Sequence, residues 1–177
     1  RVRNVIQTNG GNVLALISQF VPGLESLILT NYRHLTHVQI DDTVQFYQLK
    51  SLDLTLCSIE SFELIDETHA MTRTLRKLNV SHSNLGDDFV SRVLPRFAQL
   101  DTIVMKTCSS LNLPHFTNPL LRKINLRQCA RLVGFKNELL ELSQSLVQLK
   151  LSACSRLDCY AVSRFLTNVG SNLKLLE

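Results

Sequence analysis

The hydrophobic positions of the chain follow a phrase that returns six times: an aliphatic residue, two variable residues, a second aliphatic, one variable residue and a third aliphatic. Three residues after each phrase comes a cysteine, except for one serine and one tyrosine. The copies are Leu24–Leu27–Leu29 with Tyr32, Leu49–Leu52–Leu54 with Cys57, Leu75–Leu78–Val80 with Ser83, Leu100–Ile103–Met105 with Cys108, Leu121–Ile124–Leu126 with Cys129, and Leu146–Leu149–Leu151 with Cys154. A seventh begins at Leu173, and successive copies start 25, 26, 25, 21, 25 and 27 residues apart. Such a period predicts a solenoid, an architecture that usually presents a binding surface.

The sixth copy predicts one strand and one short helix per unit. Residues 148–152 alternate polar and aliphatic side chains, which is typical of a half-buried strand. Asp158 is a suitable N-cap for a helix from about Cys159 to Thr167, and Gly170 is a stop signal after it. The expected class is therefore α/β, with parallel strands on a concave face and short helices on the convex face, in about six to seven repeats.

The other copies predict helices that differ from unit to unit. In the second copy the helix should cover Phe62 to Met71, and in the fifth copy Phe135 to Leu142. In the third, Asp87 should cap a helix that kinks or breaks at Pro95, because proline lacks the N–H that an interior helical position donates.

The fourth copy and the N-terminal segment depart from this plan. The fourth copy is only 21 residues long and carries Pro114 and Pro119, so extended or 3₁₀ chain is expected instead of a full helix. Residues 1–23 are expected to form a partial repeat or cap, and residues 24–177 a solenoid truncated in its last repeat. The earlier segment should contain a helix whose inward side chains are Val13, Leu14, Leu16, Ile17, Phe20 and Val21.

Composition and cysteine placement favour a folded intracellular protein. The chain is 45% hydrophobic and 19% charged, and no apolar run approaches the roughly 18 residues that a membrane helix needs. Four of the five cysteines occupy one position of the repeat, where the thiols should point inward, each toward its own turn, and donate weakly to backbone carbonyls. Reduced thiols indicate a cytoplasmic or nuclear location, and the chain reads as a fragment of a longer protein.

The variable positions of the strands predict where a partner binds. Four positions per copy face the concave side, which gives 24 positions with five basic residues and a single acidic one, Asp53. The 14 basic and 14 acidic residues elsewhere cancel, so the whole net charge of +4 falls on these rows. These positions would form an electropositive groove on the concave side, which suits an acidic or phosphorylated partner. The candidate partner-binding residues are Lys77, Lys106, Lys123, Arg127, Lys150, His82, Asn79 and Asn125. Polar strand faces are also ordinary solvated surfaces, and that alternative stays open.

The phrase L-x-x-L-x-L-x-x-C, followed by a leucine, an acidic residue and a short helix, resembles the cysteine-containing class of leucine-rich repeats. The segments LVQLKLSACSRLDCYAVSRFL and LRKINLRQCARL resemble it closely. That class is best known from F-box proteins, where the repeats hold the substrate of a ubiquitin ligase and an upstream F-box docks on the adaptor. The resemblance implies substrate recognition within such a ligase, with the adaptor bound by a region outside this chain.

Catalytic and metal-binding motifs are missing from the sequence. No phosphate loop, H-E-x-x-H, C-x-x-C or G-x-S-x-G occurs, so no enzyme, cofactor or metal is expected. His34 and His37 could share one helical turn but lack a third ligand, and His69 and His115 read as surface residues. A non-ligase scaffold, such as an assembly factor or bacterial effector, is the main alternative. A GTPase-activating repeat fits poorly because its period is longer, and nucleic-acid binding is disfavoured because the strand rows hold no aromatic side chain.

Overall fold

The computed structural model describes residues 12–66, 68–136, 145–169 and 172–177. Within them, seven short strands form one wholly parallel sheet in the order β1-β3-β5-β6-β7-β8-β9. These strands are β1 Ser26–Ile28, β3 Ser51–Asp53, β5 Lys77–Asn79, β6 Thr102–Val104, β7 Lys123–Asn125, β8 Gln148–Lys150 and β9 Leu175–Leu176. The chain is thus a mixed α/β protein, and each copy of the sequence phrase supplies one strand of this sheet.

The middle aliphatic of each phrase builds one face of the sheet. The register aligns these residues strand by strand, and the first six of them are buried. The aligned ladder is Leu27, Leu52, Leu78, Ile103, Ile124, Leu149 and Leu176. Because side chains alternate across a strand, the residues on either side of each ladder member face away from the core. We call that opposite side of the seven-stranded sheet the polar face.

Three α-helices and one irregular helical segment connect the strands in the described part of the chain. They are α1 Val13–Phe20, α2 Ala70–Thr74, α3 Cys159–Val169, and a π-helix Phe89–Val93 continued by a 3₁₀ turn Leu94–Arg96. The helix α3 begins where the sequence predicts, and Asp158 Oδ1 accepts from Tyr160 N at 3.2 Å. The break at Pro95 is also confirmed, because the π-helix gives way to the 3₁₀ turn there. No helix occurs between Ser109 and Leu121, as the two prolines of the fourth copy predict.

The predicted helix Phe62–Met71 is wrong. Residues Ser61–Leu64 form strand β4, which pairs in parallel with β2 at His37–Ile40 in a separate two-stranded sheet. Burial alternates along both strands, and the Phe62 ring packs at 5.4 Å from the ring of Phe89. The burial of these side chains has a period of two, and pairing with β2 stabilises a strand where the sequence predicted a helix. The only helix in this part of the second copy is the five-residue α2.

Two other expectations about helices are corrected. Asp87 does not cap the helix after it; its carboxylate accepts from Asn112 N at 3.0 Å and Leu113 N at 2.9 Å, in the next copy. At the end of α1, Phe20 and Val21 are exposed instead of facing inward, while Val13, Leu14 and Ile17 are buried as predicted. Residues 1–11, the fifth-copy helix beyond Lys136, and Gly170 lie outside the described residues.

The cysteines that follow the aliphatic phrases form hydrogen bonds between neighbouring copies. Each Sγ donates to a backbone carbonyl of the preceding copy: Cys57 to Leu29 at 2.9 Å, Cys108 to Val80 at 3.5 Å, Cys129 to Met105 at 3.0 Å and Cys154 to Leu126 at 3.1 Å. For the first three cysteines, the distance from Sγ to the carbonyl oxygen two residues earlier, in the same turn, is longer, between 3.8 and 4.0 Å. The inward direction is thus confirmed, and the principal acceptor is one copy earlier than expected. All five cysteines are free thiols.

Candidate partner-binding face

The polar face is bordered by a turn with the same backbone conformation in six copies. In each copy, the second residue after the third aliphatic of the phrase adopts φ between 55° and 62°. These residues are Asn31, Leu56, His82, Thr107, Gln128 and Ala153. This left-handed region is unfavourable for residues with a Cβ atom, so its recurrence requires compensation from the surrounding turn. The predicted site residue His82 owes its exposed position at the rim to this turn.

Acid and amide side chains on the polar face supply part of that compensation. The backbone N–H two residues ahead donates to Asp53 Oδ1 at 3.0 Å, to Asn79 Oδ1 at 3.1 Å and to Asn125 Oδ1 at 3.3 Å. These bonds satisfy turn donors that have no partner in the sheet. In the predicted site residues Asn79 and Asn125, the side-chain amide oxygen therefore accepts a hydrogen bond from the turn.

A chain of hydrogen bonds crosses the polar face from β3 to β6. Asn79 Nδ2 donates to Asp53 Oδ2 at 3.1 Å, Ser81 Oγ donates to Asn79 Oδ1 at 2.6 Å, and Lys106 N donates to Ser81 Oγ at 3.1 Å. Ser81 is buried, although the sequence predicts it at one of the positions that face the concave side. Asn79 uses its amide oxygen and one of its two Nδ2 hydrogens within the face, whereas the Nδ2 of Asn125 makes no hydrogen bond within the described residues. Of the two asparagines, Asn125 therefore has more donor capacity left for a ligand.

The five predicted basic residues fall on strands β5 to β8 or on the residues that follow β6 and β7. Lys77 and Lys123 are exposed, and Lys106, Arg127 and Lys150 are partly buried. Lys77 and Lys123 align across Thr102, so their backbones lie roughly 10 Å apart at the usual strand spacing. On β7, residues Lys123 and Asn125 and then Arg127 bring three donors into one line along the face.

Sequence reasoning missed one residue of this face, Glu177. Its carboxylate accepts from Lys150 Nζ at 2.9 Å through Oε2 and is paired with the Arg127 guanidinium through Oε1. Continuing the register from Leu149 opposite Leu176 places Glu177 beside Lys150, so the seventh copy carries the signal. With Glu177 and Asp53 set against the five basic residues, the face has a net charge of +3.

The remaining cations of the face are unneutralised within the described residues. Lys77, Lys106 and Lys123 make no ion pair there, while the Nε of Arg127 is buried without a hydrogen-bond partner. The lysines without an ion pair therefore lie on or just after β5, β6 and β7, whereas Glu177 offsets the charge of Arg127 and Lys150. Arg131 and Arg156, which follow two of the cysteines, are both exposed at the neighbouring rim.

The thiols beneath the turns are poor nucleophiles. Burial, together with the smaller effect of the Asp53 charge, raises the pKa of Cys57 to about 11, although a backbone hydrogen bond at Tyr32 acts in the opposite direction. Burial likewise raises the pKa of Cys129 to about 12 and raises the pKa of Cys108 and Cys154. These four groups therefore stay protonated near neutral pH and serve as hydrogen-bond donors.

The histidine expectations need correction. His37 lies in strand β2, so His34 and His37 do not share a helical turn, and His37 Nδ1 is instead 2.8 Å from Ser61 Oγ. His69 is buried: its Nδ1 accepts from Met71 N at 3.1 Å as the N-cap of α2, and its Nε2 donates to the carbonyl of Val44. Within the described residues, no three His, Cys, Asp or Glu side chains cluster in a way that could hold a metal ion.

Comparison with known proteins leaves the polar face as the main guide to function. No protein-family model, curated protein or solved structure matches the chain. Among residues 12–66, 68–136, 145–169 and 172–177, no helix has both the length and the apolar character needed to cross a membrane.

Proposed function

We propose that the chain is a leucine-rich-repeat solenoid of the cysteine-containing class and that its polar face is the concave binding surface. Three regularities support this architecture. The sheet is parallel with every phrase in equivalent register, the turns repeat one left-handed conformation, and thiols reach back to the carbonyl of the preceding copy. A solenoid uses such a face for protein recognition, and no catalytic step is part of this proposal.

The proposed ligand is an acidic or phosphorylated segment of a partner protein. The contact that carries the proposal is the Glu177 carboxylate, held jointly by Arg127 and Lys150. This pair of contacts is what an acidic side chain from a partner would make with the unpaired Lys77, Lys106 and Lys123. Charge-assisted hydrogen bonds of this kind are shorter and stronger than neutral ones.

The assembly we favour is a ubiquitin ligase of the F-box type, in which this chain is the substrate-recognition part. Its support is the class of repeat, and the free, high-pKa thiols agree with a cytoplasmic or nuclear setting. The adaptor would be bound by a region outside this chain. Co-precipitation of the adaptor with the product of the complete gene tests this step. Recovery of the adaptor supports the ligase, and its absence favours a scaffold without ligase activity.

Peptide binding tests the recognition chemistry separately from the assembly. A panel of fluorescent peptides of one length, either acidic, serine-phosphorylated or neutral, is titrated against the chain. We expect the acidic and phosphorylated peptides to bind. Their affinity should fall as salt rises from about 50 to about 300 mM, because the Debye length then shortens roughly 2.4-fold and exposed charges are screened. Equal binding of the neutral peptides would show that the face recognises something other than charge.

A further inference from the structure

A pocket of about 310 Å³ lies where strands of the large sheet begin, away from the polar face. Lys50 immediately precedes β3, Arg76 immediately precedes β5, and both side chains line it. The helix α2 contributes Arg73 and Thr74 from the side. Three elements that are adjacent only in the folded chain therefore converge on this pocket.

The lining of this pocket consists of hydrogen-bond donors. Besides the three cations and Thr74, the lining residues are Tyr47, Gln48 and Gln99. Each of these seven side chains can donate a hydrogen bond, and none is a carboxylate. A neighbouring pocket of about 430 Å³ shares Tyr47, Arg73 and Thr74 but includes Asp42 and Asp66, so it lacks this one-sided character.

The three cations are only partly neutralised. Lys50 Nζ is 2.8 Å from Glu25 Oε1, with both side chains more than half exposed, so this contact is readily exchanged. Arg73 Nη2 donates to the carbonyl of Thr68 at 3.3 Å. Its charge helps to lower the pKa of the nearby Asp66 carboxyl, but Arg73 makes no direct ion pair within the described residues. Arg76 makes no side-chain ion pair with any residue that the structure describes.

The Thr74 hydroxyl gives a second, independent indication. Its Oγ1 is buried and has no hydrogen-bond partner within the described residues. Buried hydroxyls are nearly always satisfied in folded proteins, so an orphaned one in the wall of a cationic pocket indicates a missing acceptor. Thr74 also lines this pocket, so its hydroxyl lies close to the space that an oxygen of a bound group would occupy.

We propose that this pocket binds a phosphate group, either as a free phosphate compound or as a phosphorylated side chain of a partner. Lys50, Arg73 and Arg76 would hold its oxygens, and the Thr74 hydroxyl would donate to one of them. Arginine guanidinium groups match the geometry of phosphate oxygens, and the tyrosine and glutamine side chains add neutral donors. The volume leaves room for the group to which the phosphate is esterified.

An NMR titration of the chain tests this site. Inorganic phosphate is added against sodium chloride at equal ionic strength, and we expect saturable shifts of the amides of Lys50, Arg73, Thr74 and Arg76 with phosphate alone. The variants Arg73→Gln and Arg76→Gln should each weaken phosphate binding about tenfold or more, because each removes a charged hydrogen bond. Arg122→Gln is the matched control, since Arg122 is exposed, immediately precedes β7 and does not line the pocket.

The outcomes separate the sources of the phosphate and the failure of the proposal. A serine-phosphorylated peptide that binds tighter than inorganic phosphate, with the unphosphorylated peptide inactive, identifies a phosphorylated side chain. Equal affinities of phosphopeptide and inorganic phosphate identify a free phosphate compound. Identical spectra in phosphate and chloride overturn the proposal, as does an Arg76→Gln variant with a native spectrum that binds phosphate like the parent chain.

Discussion

The left-handed turn that borders the polar face is testable at Ala153, where no side-chain contact complicates the result. Ala153 has φ of 61° and is exposed. An L-residue in this region costs roughly 1–2 kcal/mol, and glycine avoids that cost but loses about 0.5–1 kcal/mol of backbone freedom on folding. Ala153→Gly should therefore raise the free energy of unfolding by about 0.5–1 kcal/mol.

Ala130→Gly is the matched control for this substitution. Ala130 is also exposed and follows Cys129 directly, but it is not among the residues with positive φ. Here the glycine has no strain to relieve, so the same change should lower the free energy of unfolding by about 0.5–1 kcal/mol. Both free energies come from equilibrium urea unfolding followed by circular dichroism. If the two variants shift stability in the same direction by similar amounts, the assigned turn conformation is wrong.

The remaining predictions concern thiols, the buried histidine and Glu177. At pH 8 a thiol reagent should label Cys159 quickly and the buried Cys57 and Cys129 slowly, and peptide mapping that finds fast labelling of Cys57 or Cys129 would contradict the burial. Because the folded pKa values of Cys57 and Cys129, about 11 and about 12, exceed the ordinary value of 9.0, their stabilising effect is complete below pH 9 and is lost as the pH rises toward 11 to 12. Urea unfolding at pH 8 and pH 10.5 should show a larger loss for the parent chain than for a Cys129→Ala variant; equal losses would count against this account. His69→Ala should lower the free energy of unfolding by about 2–3 kcal/mol, because it removes an N-cap and leaves the Val44 carbonyl without its donor. His69→Asn should restore part of the cap. If the two variants are equally stable, the capping role of His69 is refuted. Glu177→Gln should tighten the binding of acidic peptides in fluorescence titrations by freeing Arg127 and Lys150, and an unchanged affinity would exclude competition at this position.

The strands of the large sheet were predictable because their signal is local and repeated. The first six aliphatic phrases place their middle residues on the buried ladder, and the four thiols that follow a phrase occupy equivalent places beneath the turn. The second copy shows where this logic stops. Ser61–Leu64 carries too few residues to distinguish a period of two from a helical period, and its strand exists because β2 lies beside it.

The candidate site was predictable in its charges and less so in its hydrogen bonds. The alternation of the strands predicts which lysines and arginines share a face, and the structure places them there. The commitment of Asn79 to Asp53 and Ser81 depends on contacts between strands that no single copy reveals. Glu177 was missed because its place in the seventh copy was not compared with the other strands, although extending the register from Leu176 by one position locates it.

Charge reversal on the polar face tests the central claim most directly. The variant carries Lys77→Glu, Lys106→Glu, Lys123→Glu and Arg127→Glu, and its control carries the same four-charge reversal at exposed residues elsewhere, namely Arg33, Arg92, Arg122 and Arg164. Both variants have the same net charge, so nonspecific attraction is matched. The affinity of each for an acidic phosphopeptide is measured by fluorescence polarisation at 100 mM salt. We predict that the polar-face variant loses binding by about a hundredfold or more while the control keeps most of it, since each lost charged contact removes about 1.5–3 kcal/mol. Equal losses in the two variants, or intact binding by the polar-face variant, would contradict the assignment of this face as the partner-binding surface.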